Sequence, residues 1–448
     1  MNTPDLATLA DALRQDSHAR FFITDVDGVC RGKSLSGPAM AALLQHGGTL
    51  SSAVFGWDIA DDLYGSEVGF AGLHTGLGEV GLRLDAHSAR TLPWDGQRWL
   101  LIGEHVAADG SPLPLCPRQV LKRVLARATE QGLNLQVGIE FEWFVLCESE
   151  RSLREKGYRG LHTATESVQN YSPFRLDAVK AFVDDLFTWL PQAGIPIEAL
   201  HTEAGPGNLE AALQHGDALA MADRAVLFKQ AVREIGRRHG LLSTFMAKWS
   251  SRYGGCGQHI HQSLWRDGAN LFHDPAQPDG LSTPLQHYLG GQMQALPELL
   301  ALYAPFVNSY KRLVDGMLAP VRANWGLDNR HAALRVVRGG PRSQRLELRV
   351  PGADANPYLV LAAALASGLQ GLAQGTPPGS ASKAGDDTAS RLPRTLVDAT
   401  ERLDQSALAR EWLGDDFVTH FVQTRRWEWQ RYCEAVTDWE LARYLENV

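Results

Sequence analysis

No apolar run in this sequence approaches the ~20 residues that a membrane-crossing helix needs, and the opening stretch, MNTPDLATLADALRQDSHAR, carries charge throughout with no signal-type apolar core. A cytoplasmic protein without membrane contact is therefore expected. Cysteine is scarce: Cys30, Cys116, Cys147, Cys256 and Cys433 are scattered, odd in number and without C-x-x-C spacing. That pattern implies a reducing compartment and argues against thiol chemistry or structural zinc. Basic residues do not outnumber acidic ones, and a formal net charge of −8 argues against nucleic acid as a partner. There is no internal repeat, no G-x-x-x-x-G-K-[ST] loop and no G-x-G-x-x-G opening a helix, so neither a P-loop nor a Rossmann phosphate site is present. What remains is a chain of 448 residues, 44% of them hydrophobic, which is long enough for two domains with sizeable cores.

The informative residues are short pairs of acids and imidazoles: Glu140 and Glu142 in VGIEFEWFVL, Glu203 and Glu210 in HTEAGPGNLEAAL, His259 and His261 in GQHIHQSLW, with Glu347 between arginines in RLELRV. Three of these four segments read as strands, where residues two apart share a face. The intervening Phe141, Ile260, Leu346 and Leu348 then belong to an apolar face. AGPGNL reads as a hairpin turn that returns Glu210 to the level of Glu203. An E-x-E or H-x-H alone is usually a solvated face. Four such segments, one of them running into the apolar Trp143, Phe144, Val145 and Leu146, imply a strand wall with carboxylates on its inner side. Carboxylates packed together need cations, and oxygen-rich sites with little imidazole suit Mg²⁺ or Mn²⁺ better than Zn²⁺.

Between residues 308 and 349, Arg312, Arg330, Arg335, Arg345 and Arg349 accompany Glu347 on strand-like pieces. Guanidinium forks bind carboxylate and phosphate through two oxygens at once. Metal carboxylates with arginine forks point to phosphoryl transfer from a nucleotide to an acidic substrate. Residues 21 to 104 read as a small β-rich domain, AADGSPLPLCP (107 to 117) as a linker, and QGTPPGSASKAGDDTAS (374 to 390) as an exposed loop. PRQVLKRVLARATEQG and DALAMADRAVLFKQAVREIGRRHG have helical apolar spacing, and ANPYLVLAAALASGLQGL reads as a buried helix.

These motifs, with TDVDGVCRGK, LPW at 92 to 94, STFMAKW, NSYKRLV, NRHAALRV, RLELRVPGADANPYL and VTDWELARYL, run in order from about residue 20 to the C-terminus. In that order they resemble the glutamine synthetase family, type I-like. The loop FGWDIADDLYGS resembles the branch that joins glutamate to organic amines, the γ-glutamyl-amine and γ-glutamylpolyamine synthetases. The resemblance implies an α+β fold: a small N-terminal β-grasp-like domain (1–110) and a large C-terminal catalytic domain (111–448) with a curved antiparallel sheet and helices. It implies one metal held by Glu142, Glu203 and Glu210 and another by Glu140, His259 and Glu347, with two or three Mg²⁺ or Mn²⁺ ions per site. Glutamate-binding groups match Gly255, Arg312, Arg330 and Arg349; ATP and phosphate groups match His261, Ser263, Arg335 and Arg345. The implied assembly is a homo-oligomer, a dodecamer of two hexameric rings, with active sites between subunits. Asp58, or Asp61 or Asp62, would reach the neighbour's amine site as a catalytic acid.

The implied reaction phosphorylates the side-chain carboxylate of glutamate, with Arg330 and Arg335 offsetting charge on the transferring group, before an amine displaces phosphate. Two departures bear on the amine. Gly254 stands where the family usually has asparagine, and NSYKRLVDGMLAP replaces the common NSYKRLVPGYEAP. The flap glutamate that attracts ammonium and takes its proton is thus Leu318, and the tyrosine before it is Met317, which makes these two the amine pocket. Alternative readings are an ammonia-using glutamine synthetase, a catalytically inactive relative, and a kinase that stops at a phosphorylated product. Some bacterial relatives are switched off by nucleotidylation of a tyrosine near the segment matching 374 to 394. This chain has no tyrosine between Tyr358 and Tyr432, so intact-mass spectrometry is expected to show no such adduct there.

Overall fold

The computed structural model describes residues 5–383 and 388–448. Among the described residues fifteen strands form two sheets. The first is built from β1 (His18–Thr24), β2 (Cys30–Ser36), β3 (Gly48–Ser51), β4 (Glu79–Leu92) and β5 (Arg98–Val106), in the order β2-β1-β5-β4-β3. β1 and β5 run parallel and the other neighbours antiparallel. The second, ten-stranded sheet contains β6 (Asn134–Leu146), β7 (Ile197–Thr202), β8 (Asn208–Leu213), β9 (Gly216–Asp217), β10 (Leu242–Thr244), β11 (Gln258–Arg266), β12 (Ala269–Asn270), β13 (Trp325–Leu327), β14 (Leu334–Val337) and β15 (Arg345–Leu348). Its main path is β13-β14-β15-β11-β6-β8-β7, with only β13 and β14 parallel. The fold is α+β, a small mixed sheet beside a curled, mainly antiparallel one.

Strict alternation on β6 explains how the large sheet gets two unlike faces. Leu135, Val137, Ile139, Phe141 and Trp143 are buried, while the residues between them are half-buried. The apolar set packs under helix Ala218–Arg238, where Phe141 stacks on Phe228 with ring centroids 5.7 Å apart. Helix Pro357–Gln374 is buried on every side, as its unbroken apolar run requires, and packs against helix Thr283–Tyr303. Their contact admits nothing larger than glycine: a Cβ on Gly291 would stand 2.5 Å from the Cα of Gly371. The small sheet is tied to this body by Arg118, which donates to both carboxylate oxygens of Asp223 at 2.9 Å and to Asp85 at 2.7 Å.

One loop reading changes and another holds over its described residues. The stretch read as a linker packs against the small sheet, because Leu113, Leu115 and Cys116 are buried in its core and the Leu113 N–H donates to the His105 carbonyl at 3.1 Å. Three apolar residues give that segment a reason to dock that its Gly and Pro content hides. The segment 374–390 leaves helix at Gly375 and runs largely exposed, tethered where the Ser382 N–H donates to the Trp325 carbonyl at 2.7 Å; residues 384–387 of it lie outside the described residues.

Candidate active site

Strand register sets the site. β11 pairs antiparallel with β6 so that His259 faces Glu140 and His261 faces Gly138. β15 then sets Glu347 beside His261, and β14 sets Arg335 beside Glu347. On the other side of β6, Glu142 faces Glu210 of β8, and Glu210 faces His201 of β7. The polar face of the sheet is thereby a staircase of cross-strand neighbours, each ~5 Å from the next. It floors a cleft of about 480 Å³.

Every candidate residue except Ser263 and the loop acids Asp58, Asp61 and Asp62 lines this one cleft. His261 approaches Glu140 at 3.0 Å, and His259 lies 3.3 Å from Glu140, 3.7 Å from Glu142 and 3.8 Å from Glu347. Arg335 donates to Glu347 at 2.9 Å, Arg349 donates to its other oxygen, and Arg345 donates to His261 at 3.1 Å. Arg312 is buried and donates to the Val350 carbonyl at 2.8 Å. Gly255 lets that arginine pass, since a Cβ there would meet Arg312 Cγ at 2.7 Å. Ser263, one step along the same face of β11, lines the adjoining hollow of about 310 Å³ together with Glu140, His261 and Arg345. Met317 and Leu318 form a half-exposed wall of the cleft beside Gly316, whose φ of 83° favours glycine.

Among the described residues, three groups of potential ligand atoms lie within 4.8 Å of one another: Glu140, His261 and Glu347; Glu142, Glu210 and His259; and His201, Glu203 and Glu210. Two atoms bound to one hard cation at ~2.0–2.6 Å stand about 3–5 Å apart, so carboxylate-rich sets of this width fit Mg²⁺ or Mn²⁺. The grouping divides these side chains differently from the expected ligand sets. His261 joins Glu140 and Glu347, His259 reaches both neighbouring groups, and Glu203 meets Glu210 through His201.

The electrostatics agree with a site built for cations. Burial would raise Glu140, but hydrogen bonds and charge from His259 and His261 outweigh it and hold the carboxyl well below its ordinary range. Burial also opposes ionisation of Glu347, yet Arg349, His261 and His259 bring it down to about 2. Glu203 moves the other way, raised by burial and by the charges of Glu210 and Glu142. His201 is raised chiefly by its hydrogen bond to Glu210. Five carboxylates face five arginines across the cleft, and His201 and His259 are drawn toward protonation.

Sequence reasoning missed His201 and Tyr171. His201 had a signal, since LHTE repeats the same i, i+2 spacing as the other pairs. Tyr171 had none: a left-handed φ of 53° and an N–H bond to the Thr202 carbonyl at 3.0 Å bring its ring within 4.5 Å of His201. Asp58 stands away from this cleft. Its carboxylate accepts from the N–H groups of Ala60 at 2.8 Å and Asp62 at 3.0 Å and from Trp427 at 3.1 Å, so it pins its own turn. Asp61 and Asp62 are the exposed acids of that loop, although Asp61 pairs with Arg31.

Comparison with known proteins agrees with this geometry. Residues 114–444 match the glutamine synthetase catalytic domain. The chain is 39% identical over its whole length to a type-1 glutamine synthetase of Dictyostelium discoideum, 87% of which is covered. It is 33% identical to a glutamate–isopropylamine ligase of a Pseudomonas species, over 96% of this chain and 95% of that one. Among solved structures, one described as apo GmaS without ligand superposes with a TM-score of 0.85 at 29% identity, covering 99% of each chain. With its carboxylate and arginine cleft on a curled sheet, and with relatives that include an amine ligase, this chain belongs to the glutamine synthetase family and is a carbon–nitrogen ligase.

Proposed function

We propose that the enzyme joins the γ-carboxylate of L-glutamate to an organic primary amine at the expense of ATP. The observation that carries this reading is the Met317–Leu318 wall: segment 316–319 enters a cleft otherwise dense in acids and arginines without contributing a single charge. Asp315 does not supply the missing acid, because it lies outside the cleft lining and pairs with Arg391. The likeness to an enzyme named for isopropylamine, a small amine with an apolar body, supports the same reading.

Arg312, Arg330, Arg349 and Gly255 receive glutamate, and Arg335, Arg345, His261 and Ser263 receive the nucleotide phosphates. A γ-carboxylate oxygen attacks the terminal phosphorus of ATP and the bond to ADP breaks, with Arg330 and Arg335 offsetting charge on the transferring group. The amine nitrogen then attacks the acyl carbon, phosphate leaves, and the nitrogen gives up a proton. Mg²⁺ or Mn²⁺, held by Glu140, Glu142, Glu203, Glu210, His259 and Glu347, supplies charge neutralisation between the acid wall and the phosphates. Phosphate release and product mass measured over ammonium, alkylamines, arylalkylamines, polyamines and ethanolamine test the proposal. Apolar monoamines are expected to lead, and an amine-independent phosphorylated product would favour the kinase reading instead.

Stripping divalent ions with EDTA is expected to abolish turnover and to lower the melting temperature. Like-charge repulsion returns to the acid wall, and a ligand present at a hundred times its Kd contributes about 2.7 kcal/mol to the native state. Unchanged melting and activity would remove the metal assignment. The proposal includes a homo-oligomer, and exposed apolar residues near the C-terminus support it: Val436, Trp439 and Leu445 are 73%, 62% and 74% exposed. Light scattering is expected to give about twelve times the 49.1 kDa chain mass. The five unpaired cysteines fit a cytoplasmic setting.

A further inference from the structure

A second cavity, of about 610 Å³, shares no lining residue with the cleft and lies on the helix-covered side of the large sheet. Lys229 and Arg233 of helix Ala218–Arg238 enter it from one wall and Lys311 from another. Lys229 is only 7% exposed. Its ammonium makes one long contact, 3.5 Å to the Ala355 carbonyl, and stands 5.7 and 5.9 Å from the rings of Phe245 and Phe141. Arg233 lies 5.3 Å over Phe245, and Lys311 6.0 Å from Tyr432. Among the described residues none of these three cations forms an ion pair.

Among the described residues no acid of the cavity is ion-paired with these three cations. Asp27 is ion-paired with the buried Arg425, and Glu428 faces the same guanidinium, with burial raising its carboxyl. Asp354 accepts from Ser309 Oγ at 2.6 Å with one oxygen, and its other oxygen is buried against Gly352 with no surface open to the cavity. Burying an ammonium without an anion costs several kcal/mol, whereas ring contacts at such distances return about 0.5–2 kcal/mol. The deficit is visible on the lysine itself: burial and the neighbouring Arg233 push it down to about 7, against an opposing pull from Asp354. Phe245, Met246, Phe306 and Val307 give the same cavity an apolar wall.

We propose that this cavity binds a small organic oxyanion, a carboxylate or phosphoryl group on an apolar body, with Lys229 and Arg233 on the charge and Phe245 and Phe306 against the body. Such an occupant supplies the missing counter-charge for the helix-borne cations and fills the apolar wall, which inorganic phosphate does not.

Equilibrium dialysis of the full-length protein against phenyl phosphate, phenylacetate and inorganic phosphate tests this. Saturable binding of one aromatic probe per chain is expected, weakened at least tenfold in Lys229→Met and in Arg233→Met and unchanged in Arg335→Ala, which alters only the cleft. Since methionine removes an unpaired buried charge while keeping the volume, Lys229→Met is expected to melt at or above the wild type and to lose the rise in melting temperature that the probe gives the wild type. Binding unaffected by Lys229→Met and Arg233→Met, or abolished by Arg335→Ala, overturns the assignment. So does a Lys229→Met protein that melts well below the wild type, because the lysine would then serve the fold. Inorganic phosphate binding as tightly as either aromatic probe overturns the organic body.

Discussion

Replacing Glu347 by alanine is expected to lower kcat by about three orders of magnitude, the scale on which single electrostatic groups act in closed sites. Glu347 is 1% exposed and sits at the only point of the staircase where two guanidinium groups, Arg335 and Arg349, bracket a carboxylate that also faces His261 and Glu140. Alanine removes a cation ligand and leaves two arginines confronting each other, and breaking a buried pair costs about 3–5 kcal/mol. The melting temperature should therefore fall with activity. Glu347→Gln separates the two effects, since the amide keeps the shape and an acceptor oxygen but not the charge: part of the stability should return and turnover should not. Glu142→Ala is expected to lose turnover likewise. Glu150, two-thirds exposed and 3.9 Å from Arg237, is the control, and Glu150→Ala should leave kcat and melting unchanged. A Glu347→Gln enzyme with wild-type kcat would take Glu347 out of the cation site.

Why some of this was legible and some not follows from where the information resides. The alternation of β6, β11 and β15 is local, and it alone puts Glu140, Glu142, His259, His261 and Glu347 on polar faces, whatever strands lie beside them. Register is not local. Whether His259 or His261 meets Glu347 depends on a pairing between residues almost ninety apart, and that pairing, which no single strand reveals, decides which acids share a histidine. Tyr171 reaches the cleft through a single left-handed residue in an irregular loop, a feature without periodicity. Asp58 shows what a loop sequence hides: two N–H groups and an indole of the same chain already use its oxygens. The docked segment before helix Pro117–Thr129 was hidden because turn-forming composition says nothing about three apolar residues finding a sheet to cover.

Substituting Leu318→Glu is expected to move the preference from alkylamines toward ammonium by at least tenfold in the ratio of kcat/KM values. An aliphatic amine, like a lysine side chain with its pKa near ~10.4, is protonated at neutral pH. A cleft that uses it must either attract the cation or gain by holding its body. Met317 and Leu318 are 40% and 56% exposed, which leaves apolar surface for a substrate to cover. Each methylene buried there is worth roughly 0.8 kcal/mol, or about fourfold in binding. Ammonium has no methylene to bury and finds no anion on this segment. Glutamate at 318 supplies an anion and removes part of the apolar wall, so both terms move in the same direction. Leu318→Gln is the control: it removes apolar surface without adding charge, so alkylamine efficiency should fall while ammonium efficiency stays put. If Leu318→Glu leaves the ratio unchanged, or if the wild type already uses ammonium as well as a long alkylamine, the wall does not select the amine. A polyamine brings a second charge to a wall that cannot pair with it, and should therefore rank behind a monoamine of equal length in the wild type and gain on it in Leu318→Glu.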